Sequence, residues 1–304
     1  MNIGTVARWQ AAGLTERQLR TLVARAQLVQ IRHRVYATAD LVTRAKSDPR
    51  KENAMYASGA IMATPTPGAV ASHETAAAIH GLPLLNQRPP DFVTLTRPPD
   101  SFRGYGRKIR FHSAELIPGH VTKVLGVPVT TVARTVIDVA RSAVFREGVV
   151  VADAALRLRQ TTKDELNTVL GKCPHWPGID QARRVIAFSD GRSESPLESC
   201  ARVTFEERGL ERPDLQVVME TSGGDFRVDF YWPQYRTIAE ADGLMKYQDQ
   251  GRNEAQIRAI AQLRRDQLLR ETGRDVVHFT WQQLFYEEDR VVTWLATSFA
   301  RPQG

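Results

Sequence analysis

Asp229, Glu240, Asp242 and Lys246 fall around one predicted hairpin, FRVDFYWPQYRTIAEADGLMKY at 226–247. FRVDFYW and TIAEAD alternate and are rich in aromatic and β-branched residues, as strands are, and Pro233 breaks the run between them. A turn centred between Gln234 and Tyr235 sets Asp229 directly across from Glu240. A centre one residue nearer Pro233 sets it across from Ile238, still on the Glu240 face, because strand side chains alternate with period two. Asp242 shares that face. Three converging carboxylates repel one another unless a positive charge lies between them, and the hard cation Mg2+, with Mn2+ as an alternative, suits oxygen ligands of this kind. Asp229, Glu240 and Asp242 are therefore the candidate metal ligands. Lys246, four residues past Asp242, offers an ammonium that could steady developing negative charge. Such a set suits hydrolysis of a phosphodiester, in which the metal polarises the phosphoryl oxygen and acidifies the attacking water. The competing reading is an exposed hairpin whose charges face water.

The elements that must position these residues surround them. SESPLESCARVTFEERGL (193–210) reads as an amphipathic helix with Ser195 as N-cap, Pro196 at the first position and Gly209 as the stop. Glu198 on this helix points either toward the hairpin acids or out to water. PDLQVVM (213–219), carrying Gln216, reads as a strand, and a helix over about 253–272 leads through Gly273 to a strand at 275–281 and a last helix reaching Leu295. The predicted order is α-βββ-α-β.

SPLES, Gln216, RVDFYWP, EADG, KY and VVHFTWQQL stand in an order that resembles a family related to the very-short-patch repair endonuclease, within the PD-(D/E)XK superfamily. The resemblance implies that Asp229 and Glu240 bind the metal, that Glu198 is the first-helix acid, and that the domain is a Mg-dependent endonuclease. Asp242 stands where that pattern has its lysine. Gln262 and Leu263 replace the Glu-Lys pair of relatives, with Arg264 and Arg265 immediately after, and Arg274 replaces an aromatic residue.

The N-terminus suggests nucleic acid independently. A helix from about Ile3 to Ala12, a turn at Gly13 and a second helix opened by a Thr15–Gln18 capping box form a helix-turn-helix. Leu14, Leu19, Leu22 and Val23 make its apolar stripe and leave Arg17, Arg20 and Arg25 on or near the outer face. LVQIRHRVYA alternates as a hairpin, with Arg32 and Arg34 as candidate wing residues. Basic side chains that displace counterions from phosphates supply sequence-independent affinity, while the second helix reads base edges. This segment resembles the winged helix that opens AbiEi-type antitoxins, with Ala26 and Arg34 where that pattern has glycines. SHETAAAIHGLPL and GVPVTTVARTVIDVA extend the resemblance through the middle of the chain. It implies an alternative function, a non-catalytic DNA-binding autorepressor that partners a toxin.

In that middle region, Ser72 is expected to cap a helix that places His73 and His80 on one face, and His112 and Glu115 lie in HSAEL. These histidines lack the tight spacing of a zinc site and read as structural. The apolar run from 127 to 156 reads as core, with Asp138 and Asp153 as capping or pairing groups.

Net charge divides the chain. Residues 1–50 carry +6 (nine basic, three acidic), 51–189 carry +6 (seventeen and eleven), and 190–304 carry −5, which sums to +7. A basic grip beside an acidic module fits DNA plus a cation site. The expected organisation is an α/β multidomain protein: a winged helix-turn-helix over 1–50, a mixed α/β middle over 51–188, and a nuclease-like domain over 189–304. Expected linkers are 38–52 and 172–180, with 189–192 leading into the last domain. Two cysteines, Cys173 and Cys200, are too few for a disulfide framework and suggest a reducing cytoplasm. No signal peptide and no membrane-length apolar run is evident, so no membrane is expected as a partner.

Overall fold

The computed structural model describes residues 2–64, 67–99, 108–243 and 252–301. The protein is a mixed α/β multidomain chain that divides into two compact units, residues 1–189 and 190–304.

The first unit opens with β1 (Ile3–Thr5), α1 (Val6–Ala11), α2 (Glu16–Ala24), β2 (Leu28–Arg32) and β3 (Val35–Thr38), with strand order β1-β3-β2. The helix expected over 3–12 begins only at Val6. Ile3–Thr5 is drawn into the sheet by β3, pairing Ile3 with Ala37 and Thr5 with Val35. The Thr5 hydroxyl then caps α1 by accepting from Arg8 N. The Thr15–Gln18 capping box opens α2. Trp9, Leu19 and Leu28 form a small core beneath these elements. Ala26 and Arg34 sit at φ 54° and 60°, the left-handed region where an L side chain is disfavoured by roughly 1–2 kcal/mol.

The stretch 38–52, expected as a linker, is mostly helical: α3 (Ala39–Lys46) and α4 (Pro49–Ala63) succeed one another without an extended connection. Thr38 and Asp48 cap them, and Pro49 takes the first turn. Met55 of α4 packs with Ala37, Val42 and Ala45, so residues 1–50 share a core with the body of α4 rather than standing apart. Next come β4 (Val70–Ala71), α5 (His73–His80), β5 (Val93–Arg97), β6 (Ile109–Ser113), β7 (Val121–Val124), β8 (Val127–Thr130), α6 (Val132–Ser142), α7 (Phe145–Arg157), α8 (Lys163–Gly171) and α9 (Ile179–Phe188). Their sheet runs β6-β5-β4-β8-β7. Ala57, Ala71, Ile79, Leu95 and Val129 are fully buried against it, and the expected core run supplies the buried Val136, Val139, Val150 and Ala155. The other expected linker, 172–180, is a mostly exposed loop as far as Gly178, with Cys173 buried, and its last two residues open α9.

The second unit contains α10 (Pro196–Glu207), β9 (Asp214–Thr221), β10 (Gly224–Trp232), β11 (Thr237–Asp242), α11 (Arg252–Glu271), β12 (Asp275–Thr280), α12 (Trp281–Tyr286) and α13 (Glu288–Phe299). Strand order is β12-β11-β10-β9, antiparallel except for the parallel β11–β12 pair. A parallel neighbour requires a crossover, and α11 provides it. Phe205 lies 5.3 Å from both Phe230 and Trp232 and 6.1 Å from Phe279, edge to face, which fixes α10 against the sheet. Thr280 ends β12 and opens α12 with a capping box to Gln283, and the last predicted helix is two helices because Glu287, at φ −131° and ψ 34°, leaves the helical conformation between α12 and α13. Among the described residues no helix is long and apolar enough to cross a membrane.

Candidate active site

The hairpin centre is decided by pairing. Trp232 faces Thr237 and Phe230 faces Ala239, where the ladder ends, which centres the turn between Gln234 and Tyr235. The same register carried one residue further sets Asp229 across from Glu240, where Asp229 Oδ2 accepts from Ala241 N. The α10 N-terminus supplies the third acid. Ser195 Oγ accepts from Glu198 N at 3.2 Å, and Glu198 Oε2 accepts from Glu194 N at 2.8 Å, so the capping geometry turns this carboxylate inward. Glu198 and Glu240 are each only 5% exposed.

Gln216 joins the acids. Its Nε2 donates to Glu198 Oε2 at 2.9 Å and to Asp229 Oδ1 at 3.2 Å. Asp229 Oδ2 accepts from Ala241 N at 2.9 Å. Gln216 holds φ 56° within β9, a backbone state that costs about 1–3 kcal/mol and persists only where the surroundings over-determine it. Burial raises the Glu198 carboxyl to about 7, aided by the Asp229 charge. Burial and Asp229 likewise raise Glu240 to about 8. Burial also raises Asp229 itself. Three carboxyl groups are thus held where charge is disfavoured and acceptors outnumber donors.

One guanidinium partly offsets this. Arg265 Nη2 stands 2.9 Å from Glu240 Oε1 but directs its hydrogen bond to the Arg227 carbonyl at 2.6 Å. Among the described residues Glu240 Oε1 therefore has a charge neighbour and no hydrogen bond. Gln262 donates to Asp266 Oδ1 at 3.1 Å, and Leu263 is 70% exposed.

Asp242 adds its charge to that felt by Glu240 but pairs with a histidine. Its Oδ2 lies 3.1 Å from His278 Nδ1, while His278 Nε2 lies 2.9 Å from Asp266 Oδ2. The two carboxylates raise the His278 imidazole above its usual value despite the opposing effect of burial. His278 pairs with Glu240 across the parallel ladder. It is missing from the sequence-level set because strand pairing, not spacing, brings it there. Lys246 lies outside the described residues.

Among the described residues Glu240 Oε1 is left without a hydrogen bond, while both Asp229 oxygens accept one; a magnesium ion that keeps several waters would suit oxygen ligands of this kind. A third protein carboxylate is not in place: among the described residues no group of three or more His, Cys, Asp or Glu is arranged to hold an ion.

In the first unit, Arg17, Arg20, Arg25 and Arg34 are exposed, with Arg20 3.6 Å from Glu16. Arg32 is different. Its Nη2 donates to the Asp91 carbonyl at 2.6 Å, and both terminal nitrogens reach the Lys108 carbonyl at 3.4 Å. It ties β2 to the β5–β6 region instead of projecting from a wing tip.

No family model matches the chain. Two proteins of Mycobacterium tuberculosis, "Uncharacterized protein MT2308" and "Uncharacterized protein Rv2248" from a second strain, are each 34% identical to it over 129 residues, which is 42% of this chain and 48% of theirs. The chain spans about half the length of these curated relatives.

Proposed function

We propose that residues 190–304 form a Mg2+-dependent DNA endonuclease of PD-(D/E)XK type, and that residues 1–50 act as a winged helix-turn-helix gripping the duplex. The observation that carries this reading is Gln216, held in a left-handed backbone state while bridging Glu198 and Asp229 opposite the under-satisfied Glu240. A bound ion would polarise the scissile phosphoryl oxygen and acidify a water. Asp229 and Glu240 would hold it, with Mn2+ able to replace Mg2+. Glu198, whose carboxyl is raised to about 7, is poised to exchange a proton near neutral pH. Gln216 orients both acids, and Arg265 stands close enough to neutralise charge at Glu240. Lys246 remains a candidate ammonium, and Asp242 acts through His278 rather than as a ligand.

The exposed Arg17, Arg20, Arg25 and Arg34 support the DNA-gripping half of the proposal, as does the β1-β3-β2 sheet beside α1 and α2. Arg32 is withdrawn from it. A second reading is favoured by Arg265, which occupies space beside Glu240 that a cation would use. On that reading the unit is a non-catalytic scaffold in a DNA-binding autorepressor with a toxin partner.

Cleavage separates the two. Purified protein is incubated with supercoiled, linear and single-stranded DNA in Mg2+ or Mn2+, alongside Asp229→Ala. Metal-dependent nicking that falls by about 100-fold or more in the variant, with duplex affinity unchanged, supports the nuclease. Binding without cutting on every substrate sinks it and favours the autorepressor.

A further inference from the structure

A second buried charge cluster lies wholly within the first unit, built by α5, β6, α6 and the loop after α8. Asp138 of α6 is fully buried between two guanidiniums: Arg134 Nε donates to Oδ2 at 2.9 Å, and Arg141 Nε donates to Oδ1 at 3.1 Å. His73 is also fully buried, at φ 51°, and its ring stacks on His112 with centroids 3.7 Å apart. Arg141 Nη2 lies 3.2 Å from His73 Nε2, which must then accept, leaving Nδ1–H for Ser72 Oγ at 3.0 Å. This imidazole is neutral, because burial holds it well below its usual value, assisted by His112 and the arginines. The nearby Arg110 is matched by Glu74 at 3.8 Å. The fully buried Arg134 and the partly buried Arg141, whose Nη1 also reaches the Pro177 carbonyl at 3.4 Å, therefore share one carboxylate.

The hydrogen-bond inventory is also short on the acceptor side. Arg134 is fully buried, stacked over Trp176 at 4.2 Å, and gives Nη1 to the Glu115 carbonyl at 3.4 Å. Its Nη2 has no partner among the described residues. His120, only 3% exposed, has no partner at either ring nitrogen among them. The Arg134 and Lys172 charges both act on it. Water could satisfy the hydrogen bonds, but not the uncompensated positive charge, which is costly in a buried setting.

We propose that this cluster is an oxoanion site that takes a phosphate group, with Arg134 Nη2 and His120 as its unfilled donors. Trp176 covers the guanidinium, and Asp138 fixes the orientation of both arginines. The phosphate belongs either to a small phosphate monoester or to a nucleic-acid backbone, and the chemistry of recognition is the same for both. The site stands independently of the nuclease reading.

The test is calorimetric titration of the full-length protein with inorganic phosphate in buffer of matched chloride ionic strength. One saturable site is expected, weakened about tenfold or more in His120→Leu, which keeps the volume and removes the donor. Arg134→Gln should weaken it too, and His120→Leu keeps the test decisive if Arg134→Gln fails to fold. No saturable binding, or equal binding by His120→Leu, would overturn the proposal. Competition then names the source: displacement by thymidine 5′-monophosphate alone indicates a small ligand, and displacement by duplex DNA indicates the backbone.

Discussion

The two units bury ionisable groups with opposite imbalances. Around Asp138, guanidiniums outnumber carboxylates and donors are left over. Around Glu240, among the described residues, carboxylates outnumber the positive groups Arg265 and His278, and an acceptor is left over. A buried charge without compensation is expensive, so the two proposals call for opposite partners: an anion in the first unit, a cation in the second. The difference is chemical as well as formal. Arginine stays charged in a protein, so the first cluster cannot relieve itself by titrating. The carboxyls of the second can, and their raised values of about 7 and about 8 are that relief.

The sharpest way to break this comparison is to remove one carboxylate from each cluster. Asp138→Ala strands two arginines and should destabilise the first unit by about 3–5 kcal/mol. Glu240→Gln relieves crowding among acids and should change the second unit by less than about 1 kcal/mol in the absence of metal. Denaturant unfolding of both variants checks the contrast, and equal losses would refute it.

The pH dependence should also run in opposite directions. His73, His80, His112 and His120 are all lowered by burial in the folded protein. The unfolded chain therefore takes up protons first, and their contribution to the first unit is lost as pH falls below about 6.5. Glu198 and Glu240 are raised from 4.5 to about 7 and about 8. The folded second unit holds those protons longer than the unfolded chain, so their contribution is full below about 4.5 and fades as pH rises toward 8. Hydrogen exchange read unit by unit across pH 5–9 is the measurement, and added Mg2+ should restore protection in the second unit chiefly at the alkaline end.

A smaller effect divides the arginines of the first unit. Arg17→Ala or Arg20→Ala should weaken duplex binding and lower the salt slope by about 1. Arg32→Ala should leave the slope alone and reduce thermal stability, because its guanidinium is spent on the Asp91 and Lys108 carbonyls. The smallest change expected is a gain. Ala26→Gly relieves a φ of 54° and should stabilise the first unit by about 0.5–1 kcal/mol in thermal unfolding.

Much of the local structure is legible in the residues alone. The Thr15 and Ser195 caps, the hairpin centred past Pro233 and the acids on one strand face all come from short-range rules. Misreadings arise where distant pairing overrides local preference. Ile3–Thr5 is a strand because β3 needs a neighbour, and 38–52 is helical because Met55 completes a core with Ala37 and Val42. Arg32 looks like a wing residue because its spacing within the hairpin says nothing of the carbonyls it reaches from 91 and 108.

The sequence by itself determined which side chains are available and how they alternate or cap, since those depend on backbone geometry over a few residues. It placed Asp229 and Glu240 on one face and counted the charge of each segment. Tertiary structure alone decided the partners. It turned Asp242 to His278, brought Gln216 between Glu198 and Asp229, and enclosed Arg134 beneath Trp176. The reason is physical: a carboxyl or guanidinium changes character with the number of charges and donors that share its low-dielectric surroundings, and those neighbours arrive from elements far apart in the chain.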